Sequence, residues 1–351
     1  MSASWPVPPR RTPAPGPGRA RRVGGGWPAA GPPRTTRGVP AGDAGRGDIA
    51  PAAETVWRPG WPVDVAATLR PLVRGRGDPA HRVGDGAFWR VALTPLGPAT
   101  LALRVPRPGE VHAAAWGPGA EWAVATVPDL LGARDDPGSF VPRWPLLAQT
   151  ARRHPGLRVP RTGLVFDALL PAILEQKVTG TEARQAWRFL LHRYGTPAPG
   201  PAPAGTRVPP PPPVLLEVPT WDWHRAGVDI KRQRAVRAAA TVAGRLEECC
   251  GLAPAAALAR LQVVPGVGVW TAAETAQRAL GDADALSVGD FHIHDVVGWA
   301  LLGHPLSDEG MVELLEPDRP HRHRVVRLIE LSGVGKPRFG PRFAPRDYRS
   351  I

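Results

Sequence analysis

The 351-residue sequence predicts an α+β fold in three parts: a disordered basic tail over residues 1–60, a small α+β domain over 61–145, and an all-α domain over 146–351 with a Pro-rich insert at 196–213. Three observations carry that reading. Gly (40) and Pro (45) approach a quarter of the chain, and they crowd the first sixty residues and the insert. Strand-like apolar runs bounded by turn residues lie between Ala87 and Trp116. From Phe166 onward, helical apolar spacing dominates.

Residues 1–60 show no apolar period and hold nine Arg against three acids, so they are expected to stay unfolded. Ala87–Leu93 and Ala99–Val105 read as strands around the turn Thr94–Gly97, and Glu110–Trp116 reads as a third. Gly119–Leu131 reads as a helix, with Trp122, Val124, Val127 and Leu130 roughly on one side. Ala168–Val178 is the next helical stretch. Thr181 is the expected N-cap of another, which Gly195 ends. The segment 196–213 is half proline and should form a stiff polyproline loop outside any core. Ile230–Cys250, Pro254–Leu261, Val269–Leu280, Asp290–Leu302 and Glu313–Leu331 complete a set of six to eight helices.

The net charge of +13 sits in the two ends. Residues 1–60 carry +6 and residues 321–351 carry +6, a distribution suited to phosphate contacts that do not read sequence. The near-total replacement of Lys (3) by Arg (41) reads as coding bias. No apolar run reaches the roughly 18 residues of a membrane helix. The proline-broken N-terminus does not resemble a secretory signal. The only cysteines, Cys249 and Cys250, are adjacent and cannot build a disulfide framework or a four-thiolate cluster. A reducing, cytoplasmic setting is expected.

The most informative segment is Leu261–Glu274. A helix ends near Leu261, Pro265-Gly266-Val267-Gly268 makes a tight turn, and a second helix starts at Val269. The free N–H groups of that second helix can hold a phosphate without a cationic side chain. On its own residues the turn reads equally as an ordinary αα-hairpin. Asp290 lies 20 residues after Trp270 in Ser287-Val-Gly-Asp-Phe-His-Ile293. Taken alone, it reads as a helix N-cap.

Together, the Pro-Gly hairpin and the following Asp resemble the signature of the helix-hairpin-helix DNA glycosylases. The resemblance covers roughly Phe166 to Leu302 and, more loosely, Trp61 to Ile351. It implies that Pro265, Gly266, Val267, Gly268, Val269 and Thr271 grip the DNA backbone and that Asp290 is the catalytic carboxylate facing the sugar of a flipped nucleotide. Bifunctional members carry a Schiff-base Lys at the position of Trp270, so the resemblance implies a monofunctional enzyme. The iron–sulfur branch needs four cysteines. Trp270 and the small leading α+β domain are similar to the alkylation-repair branch, the DNA-3-methyladenine glycosylases.

That branch implies excision of alkylated purines of the 3-methyladenine or 7-methylguanine type. A base alkylated at N3 or N7 is cationic and departs readily, so one carboxylate can stabilise the oxocarbenium-like sugar and admit water. An electron-rich pocket suits a cationic base. Trp270 is its expected wall, with Trp187, Trp221 and Trp223 as weaker candidates. Glu274 shares the Trp270 face one turn on, where an aromatic is common in the family; an acid there reads equally as a contact to a cationic or amino-bearing base or as a solvated residue. Lys177 falls at or next to the residue that fills the gap left by the flipped base, and Gln176 precedes it. Lys231 and Arg232 are possible phosphate contacts or a solvated face. His292 is expected at sugar or phosphate and His294 in packing, and their i, i+2 spacing does not suit a metal site. The implied partner is double-stranded DNA containing damaged bases, bound by a nucleoid-associated monomer. No cofactor is expected; whether a monovalent ion sits at the hairpin is left open. The alternatives are a non-catalytic helix-hairpin-helix DNA-binding protein and a same-fold glycosylase for a deaminated or oxidised base.

Overall fold

The computed structural model describes residues 49–84 and 86–335. It is an α+β structure. A five-stranded antiparallel sheet is built from β1 (Ala53–Trp57), β2 (His81–Gly84), β3 (Ala87–Thr94), β4 (Gly97–Arg107) and β5 (Glu110–Trp116), in the order β1-β5-β4-β3-β2. The β3–β4 register runs from Phe88↔Leu103 to Thr94↔Gly97, which leaves Pro95-Leu96 as the two-residue turn. Helix α1 (Val65–Leu69) joins β1 to β2, and α2 (Ala120–Ala125) and α3 (Val127–Leu130) follow β5. Leu101, Leu103, Val111, Ala113 and Ala115 of the sheet bury against Ala120, Val127 and Leu130. The single helix expected over 119–131 is two, because Pro128 cannot donate to the carbonyl of Val124.

One correction concerns the tail expected over residues 1–60. Residues 53–57 form the edge strand β1, paired from Ala53↔Ala115 to Trp57↔Val111. The alternation of exposure in Ala-Glu-Thr-Val-Trp is that of a half-buried strand, and the surrounding Pro and Gly mask it in the sequence. The rest of the expected tail, through residue 48, lies outside the described residues.

The remaining elements are helical except for one small ladder. They are α4 (Pro145–Arg153), α5 (Val165–Leu174), α6 (Gly180–Tyr194), α7 (Pro212–Glu217), α8 (Thr220–Arg225), α9 (Ile230–Thr241) and α10 (Ala243–Glu247). Then come α11 (Pro254–Gln262), α12 (Val269–Ala279), α13 (Ile293–Leu301), α14 (Asp308–Leu315) and α15 (Arg322–Ser332). Helix α5 is almost wholly buried and packs against α12, α9 and α6. Its N-cap Leu164 offers no acceptor, so Glu247 reaches in from α10 and accepts from the N–H groups of Val165 (2.8 Å) and Phe166 (2.9 Å). At its other end Arg232 donates to the Leu174 carbonyl at 2.9 Å. Both ends of the central helix are therefore satisfied from other helices.

Three further corrections arise here. Helix α6 is capped by Thr179 rather than Thr181, in a capping box with Glu182. The final stretch is two helices, because Glu316-Pro-Asp-Arg-Pro320 breaks the run. The proline insert does not stand off the fold. β6 (Thr196–Pro197) pairs with β7 (Arg207–Val208), Val208 is buried, and an added Cβ at Gly200 would collide with Trp116. Proline carries no N–H to leave unsatisfied, so a proline-rich segment can be buried at low cost.

The C-terminal arginines on α15 are partly internal. Arg322 pairs with Asp284, and Arg324 is buried with Asp135. Basic residues 336–349 lie outside the described residues.

Two outcomes are expected. Deleting residues 1–60 removes β1 and should cost about 2–4 kcal/mol, read as a lower Tm. Asp78 is fully buried, where burial would raise its pKa, but the charge and hydrogen bond of His81, the Arg74 N–H and the Trp187 indole outweigh this and hold it at about 2. A folded pKa below the unfolded value of about 3.8 stabilises above that pH and is lost as pH falls toward 2. Asp78→Asn should therefore cost about 2 kcal/mol at pH 7 in a denaturant titration, with the gap from the parent closing between pH 4 and pH 2.

Candidate active site

Helix α11 ends at Gln262 and α12 begins at Val269, so Pro265–Gly268 is the turn of a helical hairpin. Val264 and Val267 are buried beneath it and hold it to the body, while Pro265, Gly266, Gly268 and Val269 face out. Gly266 has φ +88°, and a Cβ there would lie 2.7 Å from the Ala235 Cβ of α9. Both facts require glycine. The N-cap Gly268 has no side chain to accept from the first turn of α12, so the positive end of that helix opens to solvent beside an exposed loop. Gln176 pins the arrangement from the α5–α6 loop, donating to the Gly266 carbonyl and to the Thr271 hydroxyl, each at 2.8 Å. Lys177 follows, exposed and left-handed at φ +54°, a conformation that costs a non-glycine residue about 1–2 kcal/mol.

Asp290 sits 20 residues beyond Trp270, at the entry to α13. One carboxylate oxygen, Oδ2, accepts from the Trp270 indole N–H at 3.0 Å. The other, Oδ1, accepts from the backbone N–H groups of His292 (2.8 Å) and Ile293 (3.1 Å). Asp290 is thus both the acceptor at a helix start and the partner of Trp270. Gly289, at φ +88°, makes the preceding turn, and its N–H donates to Asp308 at 3.0 Å. Asp290 is half-buried, and among the described residues no Lys, Arg or His pairs with its carboxylate. The arrangement offers an uncompensated carboxylate next to an uncapped helix N-terminus.

Glu274 is buried rather than solvated. It accepts from the Ser287 hydroxyl at 2.6 Å and pairs with Arg278 at 2.8 Å. Gln277 donates to Ser287 Oγ and to the Ala285 carbonyl, each at 2.8 Å, so the loop leading to Asp290 is tied to the length of α12. His323 of α15 lies against Arg278, Arg324 and Arg327, and its burial together with those charges pushes its pKa well down. This network was not read from the sequence, although Glu274 and Arg278 stand at i, i+4, the spacing of a helical ion pair.

Other expected site residues lie apart from this group. Trp187 belongs to the helical core and donates its indole N–H to Asp78 at 2.9 Å, so it is a packing residue there. Trp223 is fully buried, whereas Trp221 is exposed. Lys231 is exposed at the start of α9, but Arg232 is buried, paired with Asp229 and bound to the carbonyls of Leu174 and Gly227. Arg232 is therefore not free for phosphate. His292 is exposed beside Asp290, and His294 Nδ1 lies 3.0 Å from the Asp290 carbonyl. Phe291 is 72% exposed next to Asp290, and the sequence offered no signal for it. A cavity of about 20 Å³, room for one water, lies between Arg90, Asp167, Trp187 and Arg278 and touches neither Trp270 nor Asp290.

Gly266→Ala should destabilise the hairpin by about 1–3 kcal/mol, since both the left-handed backbone and the Ala235 contact oppose a Cβ. Thermal melting together with binding to undamaged duplex DNA checks this, and both are expected to fall.

No protein-family model matches the chain. It is 31% identical over 218 residues to the "Probable bifunctional transcriptional activator/DNA repair enzyme AlkA" of Mycobacterium tuberculosis, a match covering 60% of this chain and 43% of the relative. The chain therefore spans less than half the length of the curated relative it matches. Among solved structures, the 3-methyladenine DNA-glycosylase from Archaeoglobus fulgidus superposes with a TM-score of 0.65 at 16% identity, covering 80% of this chain and 98% of that one. The Clostridium acetobutylicum 8-oxoguanine glycosylase/lyase superposes with a TM-score of 0.61 at 15% identity, covering 80% and 96%. The chain has the fold of the helix-hairpin-helix DNA glycosylases and in sequence resembles their alkylation-repair branch.

Proposed function

We propose that the protein is a monofunctional DNA glycosylase that flips an alkylated purine out of duplex DNA and hydrolyses its N-glycosidic bond in base excision repair. The single observation that carries this reading is the bond between Trp270 Nε1 and Asp290 Oδ2. An indole, which cannot form a Schiff base, stands against the carboxylate where a strand-cutting enzyme needs an amine. The hairpin N–H groups of α12 hold a phosphate beside the lesion, and Gln176 keeps that hairpin in register with Lys177.

In the reaction, the C1′–N bond breaks and its electron pair moves onto the purine, neutralising the alkylated ring. The Asp290 carboxylate stabilises the positive charge that develops on the sugar. A water oxygen bonds to C1′, and its proton leaves through the carboxylate to solvent. Flipping costs a few kcal/mol and costs least where stacking is already weak, which favours damaged bases. The reaction uses no cofactor, and the site of action is the nucleoid.

A second reading is favoured by one observation. The residue one turn after Trp270 is a buried Glu274 held by Ser287 and Arg278, not an aromatic. A polar wall suits a neutral base recognised by hydrogen bonds, such as a deaminated or oxidised purine. Base release from methylated DNA, run beside duplexes carrying hypoxanthine or 8-oxoguanine, separates the two.

Asp290→Asn should lower single-turnover base release by about 10²–10³-fold; its oxygen keeps the cap on α13, but its amide N–H faces the Trp270 indole N–H, so the loss of that one bond should cost only about 1 kcal/mol in a melting curve. Parent-like release would remove Asp290 from the chemistry. Borohydride treatment during turnover should trap no covalent DNA adduct, and a trapped adduct would overturn the monofunctional assignment.

A further inference from the structure

We propose that α6 and the loops beside it form a second phosphate-binding track, which carries the arm of duplex DNA running from the hairpin past Lys177. This rests on the DNA-binding part of the reading above. Helix α6 starts three residues after Lys177, and Gln176, the residue before Lys177, is bonded to the hairpin. Arg184, Arg188 and His192 follow at successive turns on one face of the helix. They span about 12 Å, comparable to three or four phosphates along one strand.

Neighbouring segments add to that face. The loop before β2 lies against it. An added Cβ at Gly75 would be 2.6 Å from Arg184 Cδ, and one at Gly77 would be 3.1 Å from Arg188 Nη1. The two glycines therefore make room for the arginine stems. Arg82 braces the same loop by donating to the Arg76 and Asp78 carbonyls. Arg207, in the docked proline-rich insert, is drawn in by its backbone N–H, which donates to the Pro79 carbonyl at 2.8 Å.

The charge of this group is unbalanced. Among the described residues, Arg76, Arg82, Arg184, Arg188 and Arg207 pair with no carboxylate. Fourteen other described arginines do, and the ten that do not lie elsewhere in the chain, so what marks this group is its clustering on one face. His192 senses the same field: burial, then Arg207, Arg82 and Arg188, all lower its pKa, with no acid acting the other way. A set of guanidinium groups spaced along a helix, without internal counter-ions, gains most from a polyanion laid along it.

The test uses the full chain, undamaged duplex DNA across a salt series, and base release from methylated DNA. The variant R184Q/R188Q/R207Q leaves the hairpin, Asp290 and Trp270 untouched. Its slope of log K against log salt should fall by about 2–3, at ~0.9 for each phosphate no longer neutralised. Single-turnover base release on saturating DNA should stay within about twofold, and R184K/R188K/R207K should restore the slope. A Gln variant with the parent's slope, while the parent releases base, overturns the track and leaves the glycosylase reading standing. A track-dependent slope in a parent that releases no base does the reverse. A parent that does not bind duplex overturns the track as well. If the triple variant does not fold, Arg188→Gln alone decides, with an expected slope change of about 0.9.

Discussion

The carboxylate of Asp290 joins two helices that the chain separates by a loop, and much of the site follows from that junction. Its Oδ2 is held by Trp270 in the first turn of α12, and its Oδ1 by the backbone at the start of α13. The geometry therefore depends on where α12 lies, and α12 is set by its packing on α5. Helix α5 can be buried because Glu247 and Arg232 supply what its two ends lack. Glu274, Gln277 and Ser287 then fix the connecting loop along the side of α12. In the proposed reaction, a carboxylate held this way needs little reorganisation as charge develops opposite it.

The arginine-rich composition resolves into separate uses. Some arginines are internal structural ions, such as Arg324 with Asp135 and Arg278 with Glu274. Removing one partner of such a buried pair leaves the other uncompensated, so these are constraints on folding rather than contacts for a ligand. Arg104 stacks over Trp89 of the sheet, a use of the guanidinium plane that lysine serves poorly. The unpaired set along α6 is a third use. A total charge of +13 does not distinguish these roles; what each guanidinium touches, a buried carboxylate, an aromatic face or neither, does.

The helical period after Phe166, the strands between Ala87 and Trp116, and the hairpin with its Asp were legible, because each rests on local pattern or on a short motif. What stayed hidden depends on partners distant in sequence. β1 is five residues amid Pro and Gly and becomes a strand only by pairing with β5, about sixty residues away. The docking of 196–208 onto the fold depends on Trp116 and Pro79. Trp187 carried the right residue type for a base pocket, but its indole is committed to Asp78, 109 residues earlier. The helix-capping role of Asp290 is legible locally, whereas the bond from its second oxygen to Trp270 depends on a partner 20 residues earlier.

On the proposed function, that division also bears on how a carboxylate can sit beside DNA. A phosphate backbone repels an aspartate, and the usual remedy would be a nearby lysine or arginine, which would cancel the charge needed against the sugar. Here the positive charge comes from helix ends. Trp270 is the second residue of α12, so its indole bond draws Asp290 toward that helix's N-terminus, while the N–H groups of His292 and Ile293 belong to the start of α13. Each helix end contributes about half an elementary charge, with effects of about 0.3–1 kcal/mol on a nearby anion. That is enough to offset part of the repulsion and too little to neutralise the carboxylate. The N-terminus of α12 keeps its remaining N–H groups open, so on that reading one helix end can attract the phosphate backbone while its Trp270 holds the carboxylate in place beside it.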